Sequence, residues 1–212
     1  MPYDFLITGP SDAKVTIVLA HGAGGAMDTK WMDAMSTALA GKGFRVVRFE
    51  FDYMSARRLS GKRSPPPRAE LLNEEFKAVI DKVGSEGMLV IAGKSMGGRV
   101  ASMIADDLRN AGKISGLLCL GYPFHPIGKP ENLRTAHLAD MKTPTLICQG
   151  TRDLFGTQEE VSAYKLSEMI NTLWLEDGDH DFTPRKAVSG LTSAEHIATV
   201  ADHVARWVAR LH

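Results

Sequence analysis

An excess of one charge is missing: 25 Lys and Arg stand against 25 Asp and Glu. That balance gives no general pull toward nucleic acid or an acidic membrane surface. Cysteine is scarce, with only Cys119 and Cys148, each inside an apolar, strand-like run. Thiols so placed read as buried and reduced rather than as a disulfide framework, which fits a cytoplasmic protein. No apolar run nears the roughly 20 residues of a membrane span. The opening Met1-Pro2-Tyr3-Asp4 lacks the charged and apolar regions of a signal peptide. Repeats and low-complexity segments are absent, and the closest thing to a linker is residues 60–67. What is there is a 212-residue chain of ordinary apolar content. It is long enough for one domain, 1–212, with a sizeable core.

Apolar runs alternate with helical patterns. Strands are predicted at residues 15–20, 44–51, 88–92, 114–120, 145–149 and 172–175, with a short edge strand at 3–8. Helices are predicted near 28–40, 68–83, 99–111, 157–170 and 192–211. The last two open on capping boxes, Thr157 with Glu160 and Thr192 with Glu195. Residues 52–67 read as a long loop and 124–142 as an irregular segment. His196 and His203, seven apart on the last helix, share a face expected at the surface. Most strands are apolar on both faces, which predicts about six strands in a mostly parallel sheet covered by helices on both sides. Ligands gather at the carboxyl ends of such strands.

The organising stretch is 88–98, Met-Leu-Val-Ile-Ala-Gly-Lys-Ser-Met-Gly-Gly. Gly93, Ser95 and Gly97 have G-x-S-x-G spacing between a strand and a helix, the context of a nucleophile elbow. A tight turn there lifts a serine hydroxyl clear of the sheet, and glycines remove side chains that would collide. Gly93-Lys94-Ser95 also resembles the end of a phosphate-binding loop. That motif needs glycine at position 88, which is Met. G-x-S-x-G is short enough to arise by chance, so partners in the right order are required.

Those partners follow the later strands. Ser95 needs a base, and His180 follows the last strand. Asp153 follows the strand before it and is placed to orient His180. An oxyanion would be met by the N–H of Met96 and by one from His21-Gly22-Ala23-Gly24-Gly25, with Ala23 the chosen donor. A dinucleotide fingerprint fails in that loop because its third glycine position is Met27. Asp177, Asp179 and Asp181 do not match an EF-hand loop, so no metal is assigned to them.

His21-Gly-Ala-Gly-Gly25, Gly93-Lys-Ser-Met-Gly97, Gly150-Thr-Arg-Asp153 and Asp177-Gly-Asp-His180 resemble the oxyanion, nucleophile, acid and histidine motifs of the α/β-hydrolase superfamily. The likeness runs from residue 15 to the C-terminus. It is closest to small, lidless bacterial members near the dienelactone hydrolases. Tyr122-Pro-Phe-His-Pro126 and residues 133–138 resemble a branch with eukaryotic relatives, one of them a subunit of a histone acetyltransferase complex. The resemblance implies an α/β-hydrolase fold without a cap domain, and cofactor-free hydrolysis of an ester or similar acyl bond. Dienelactone hydrolases proper use a cysteine nucleophile where this chain has Ser95, so their substrate is not carried over. A non-catalytic scaffold on the same fold, or a peptidase or acyltransferase, stays open as an alternative.

Substrate contacts are less determined. Residues 124–142 are too few for a helical lid, which predicts an open or shallow pocket for a small acyl substrate. The run from Arg57 through Arg58 and Arg63 to Arg68 is locally basic and suggests selection of an anionic ester. Tyr53 and Tyr122 leave strands at the active edge, where pocket lining and core packing both fit. His125 and His137 lie in the irregular segment and are candidates for touching substrate or for structural roles. Nothing in the sequence sets the oligomeric state.

Overall fold

The computed structural model describes residues 4–62, 65–84 and 86–211. Residue 3 of the expected edge strand and Arg63 of the basic run lie outside them. The strands are β1 (Leu6–Thr8), β2 (Val15–Ala20), β3 (Arg45–Phe49), β4 (Met88–Lys94), β5 (Gly116–Leu120), β6 (Thr145–Gly150) and β7 (Ile170–Leu175). They form one seven-stranded sheet in the order β1-β3-β2-β4-β5-β6-β7. Only β1 runs antiparallel; the six strands from β2 to β7 are parallel.

The helices are α1 (Lys30–Ala40), α2 (Asp52–Ser60), α3 (Asn73–Val83), α4 (Met96–Asn110), α5 (Gln158–Ser162), α6 (Lys186–Ser189) and α7 (Ser193–Val208). Period-two alternation sorts each strand between two cores. Val18, Ile91, Leu117 and Ile147 face α3 and α4 with Phe76, Val100 and Ile104. Ile17, Leu19, Val90, Leu118 and Leu146 face α1 and α7 with Met35, Leu39, Val200 and Val204. Residues buried on both sides of the sheet explain why β4, β5 and β6 read as unbroken apolar runs.

Three expectations are corrected. Residues 52–60 are helical, not loop. The Glu75 carboxylate accepts from Asp52 N–H at the start of α2, Met54 is its one buried side chain, and left-handed Gly61 (φ 70°) ends it. The capping box at Thr157 is present, yet α5 stops at Ser162. Beyond it Ser167 donates from N to Leu138 O (3.0 Å) and from Oγ to Met141 O (2.6 Å). These tertiary bonds draw the chain off a helical path, and β7 begins at Ile170. His196 is buried, its Nδ1 2.9 Å from Phe182 O.

Candidate active site

Ser95 joins β4 to α4 with φ 52° and ψ −116°, outside the usual regions for a residue with a side chain. Such a conformation costs about 1–3 kcal/mol and persists only where surroundings enforce it. A Cβ on Gly93 would lie 2.1 Å from Gly97 C, and one on Gly97 would lie 2.6 Å from His21 O. Backbone packs against backbone at both sites, so the turn admits glycine alone there. Ser95 N–H donates to Leu120 O across the strand ends (3.0 Å), fixing the turn from the other side.

Loops after β6 and β7 bring the expected partners to this turn. His180 Nε2 is 2.8 Å from Ser95 Oγ, and His180 Nδ1 is 2.7 Å from Asp153 Oδ2. With Nδ1–H donating to the carboxylate, Nε2 keeps its lone pair toward the serine hydroxyl. Asp153 is fully buried. Its charge is met by His180, by Gln149 Nε2 (2.8 Å) and by Phe155 N–H (2.9 Å), as a buried carboxylate requires. Gln149 is fixed in turn by Tyr122 N–H (2.7 Å). The Phe155 ring packs on the His180 imidazole, centroids 4.4 Å apart.

Ala23 and Met96 both border one of two hollows beside Ser95. Among the described residues, neither backbone N–H donates to a protein acceptor. Met96 is the first residue of α4, where an N–H has no carbonyl one turn earlier in the helix. The glycine loop is held from behind. His21 is buried, accepts from Phe51 N–H at Nε2 (3.2 Å), and donates from Nδ1 to Gly22 O (2.7 Å). Burial pushes its pKa down, so the ring stays neutral, as this pair of bonds requires. Tyr53 OH donates to Ala23 O (3.1 Å) and Arg57 Nη1 to Gly24 O (3.4 Å).

Tyr53 and Arg57 therefore grip the loop instead of lining the pocket. Arg58 grips Glu50 through Nε (3.1 Å) and Nη2 (2.5 Å), and Asp28 through Nη1 (2.9 Å). Tyr122, His125 and His137 line neither hollow beside Ser95. Tyr122 is fully buried against Phe124, its OH donating to Arg134 O (2.9 Å). His125 is buried, with Nδ1 2.9 Å from Pro126 O and Nε2 3.5 Å from Glu160 Oε2. His137 sits in a 3₁₀ turn, Ala136–Leu138, with Nε2 2.8 Å from Ser102 Oγ.

Lys94, given no role of its own in the sequence, borders the site. It is buried, donates to His180 O (2.6 Å), pairs with Asp181 Oδ1 (3.1 Å), and lies 5.3 Å over the Trp31 ring. Burial holds its pKa below the ordinary lysine value. Trp31 Nε1 donates to Asp181 O (2.9 Å), so two side chains pin the histidine loop. The loop's carboxylates are engaged by the protein. Asp177 pairs with Arg185 and Arg152, which pull its pKa down to about 2, and Asp179 Oδ1 accepts from Asp181 N–H and Thr183 N–H. Among the described residues, no group of three or more His, Cys, Asp or Glu is placed to hold a metal ion.

A parallel sheet with a serine at the β4–α4 turn, and an acid and a histidine after β6 and β7, defines the α/β-hydrolase architecture. Residues 13–209 match the family described as alpha/beta hydrolase domain, and the chain belongs to that family. Three solved structures share the fold at low identity. A serine hydrolase homologue from Coxiella burnetii has 22% identity and a TM-score of 0.70, covering 96% of this chain and 90% of that one. A lidless serine hydrolase from Xanthomonas campestris has 20% identity and a TM-score of 0.70, covering 99% and 89%. A dienelactone hydrolase from Anabaena variabilis has 17% identity and a TM-score of 0.71, covering 99% and 92%. The fold is one shared by a lidless serine hydrolase and a dienelactone hydrolase. Residues 124–142 carry only the short 3₁₀ turn where a cap would stand.

Proposed function

We propose that the protein is a serine hydrolase that cleaves an ester or similar acyl bond, a small-substrate carboxylesterase. The observation carrying this reading is the unbroken hydrogen-bond chain Ser95–His180–Asp153. His180 Nε2 takes the Ser95 proton as Oγ attacks the substrate carbonyl. The negative charge on the carbonyl oxygen is met by the N–H groups of Ala23 and Met96. Collapse expels the alcohol, which leaves with the proton from His180. Water, deprotonated by the same imidazole, then attacks the acyl-enzyme and releases the acid. Asp153 holds the ring orientation and stabilises its cationic form. Every step uses groups of this chain.

The other hollow beside Ser95 measures about 400 Å3 and is lined by residues 22–25, Trp31, Met32, Lys94 and Phe155. That volume lies at the small end of ligand sites, which favours a short acyl or alcohol group. Both cysteines are buried free thiols, which supports a reducing compartment such as the cytoplasm. No helix among the described residues is long and apolar enough to cross a membrane. The reading is tested with p-nitrophenyl acetate: wild type turns over and Ser95→Ala does not. Equal rates for the two would reject it, and absence of turnover in both would favour a scaffold on this fold.

A further inference from the structure

Ser95 stands on the partition between two hollows. The first is the 400 Å3 hollow above; the second, about 500 Å3, shares Ala23, Ser95 and Phe155 with it. Their charges differ. In the first, Lys94 faces Asp181 at 3.1 Å, so the charges balance. The second is walled by Arg68, Arg99 and Arg134 against one carboxylate, Glu70. Arg99 takes that carboxylate at 2.5 Å, and among the described residues no carboxylate pairs with Arg68 or Arg134. Arg99 Nε is also buried without a partner.

The backbone of Arg134 is held in place. Its N–H donates to Phe124 O (2.7 Å), and its carbonyl accepts from the buried Tyr122 hydroxyl (2.9 Å). Burial and the neighbouring Arg99 charge both push its guanidinium pKa down. A cation carried on an anchored backbone and crowded by another cation, beside the reacting serine, is a site prepared for negative charge. Partial exclusion of water strengthens its attraction for an anion. The basic run predicted to select anions divides accordingly: Arg57 and Arg58 brace the glycine loop, while Arg68 joins Arg99 and Arg134.

We propose that the second hollow is an anion subsite that receives a carboxylate or phosphate carried by the substrate, with Arg134 and Arg68 binding it directly. The inference rests on the serine-hydrolase reading and names its substrate class as anionic esters. A guanidinium presents two parallel donors to either oxyanion, which suits both groups.

Four esters test it: neutral p-nitrophenyl butyrate, the p-nitrophenyl monoester of glutaric acid, carboxyphenyl butyrate and the matching phenyl phosphate butyrate. At least one anionic ester should exceed the neutral ester about tenfold in kcat/KM, and which one identifies the group and the side it occupies. Arg134→Gln should lower that preference about 10–100-fold, and Arg68→Gln, an exposed and unpaired residue, should lower it about tenfold. Equal kcat/KM for neutral and anionic esters, or variants that slow both equally, would overturn the subsite. A neutral fluorophosphonate probe reads the parent reading separately. If wild type labels but shows no anion preference, the subsite falls and the hydrolase stands. If wild type neither labels nor turns over, the hydrolase reading falls. Calorimetric binding of glutarate and inorganic phosphate then decides the subsite, which is overturned unless Arg134→Gln weakens one of them.

Discussion

Lys94 Nζ donates to the carbonyl oxygen of His180 at 2.6 Å, so the residue before the candidate nucleophile holds the loop of the candidate base. The same ammonium pairs with Asp181, and both contacts lie beside the Ser95–His180 hydrogen bond. Lys94→Met keeps the side-chain volume but leaves the His180 carbonyl without its donor, which costs about 1–3 kcal/mol. The Tm should therefore fall modestly while kcat falls about 10–100-fold through misplacement of His180. KM for a small ester should move far less than kcat. Steady-state kinetics beside a thermal melt measure both; an unchanged kcat would remove Lys94 from the site.

His21 links acid sensitivity to the glycine loop. Its folded pKa lies below the ordinary value because burial disfavours the charged ring. The unfolded chain therefore binds the proton more readily, starting near pH 6.5. The stabilisation is fully present above pH 6.5 and is lost as pH falls through that value toward the lower folded pKa. Protonation also removes the lone pair that accepts Phe51 N–H. Urea unfolding at pH 7.5 and 5.5 should show a loss in wild type that His21→Asn reduces, with His137 and His203, also shifted down by burial, supplying the remainder.

The elbow glycines separate steric need from other roles. Gly93→Ala drives a Cβ to 2.1 Å from backbone and should destabilise the fold by about 3 kcal/mol or more. A Cβ on Gly24 meets nothing within 4 Å, so Gly24→Ala should cost under about 0.5 kcal/mol. Urea denaturation of the two variants checks the contrast. A mild Gly93→Ala would undo the packing account of the turn.

Tyr122 lies in the core and supports Arg134 O through its hydroxyl. Tyr122→Phe deletes one hydrogen bond and should cost about 1 kcal/mol. KM for p-nitrophenyl acetate should change less than about twofold. A large KM change would return Tyr122 to the substrate surface.

What was legible in the sequence was local or repetitive. Gly93, Ser95 and Gly97 declare the turn because backbone contact between neighbouring residues demands them. The apolar runs of β4 and β5 declare a doubly covered sheet because every side chain in them after Met88 is buried. Asp153 and His180 were legible through position, each just after a strand. Lys94 was not, because its hydrogen-bond partner His180 lies 86 residues further on and spacing within 88–98 gives no sign of it. Residues 52–60 hid a helix because Met54 is its only buried side chain, leaving too little apolar pattern to detect. Gly61 was an available stop signal there. His196 was expected at the surface from its spacing to His203, while its ring finds a buried carbonyl, and Tyr122, left open between pocket and core, lies in the core. The arginine subsite joins a loop, a helix and the irregular segment, which only the tertiary fold brings together.

The central claim is that His180 and Asp153 activate Ser95. The most direct measurement is reaction of the folded protein with a fluorophosphonate, followed by mass spectrometric location of the adduct. A single adduct on Ser95, absent from Ser95→Ala and strongly slowed in His180→Ala, is the predicted result. No adduct on folded wild type, or an adduct that forms equally fast in His180→Ala, would contradict it.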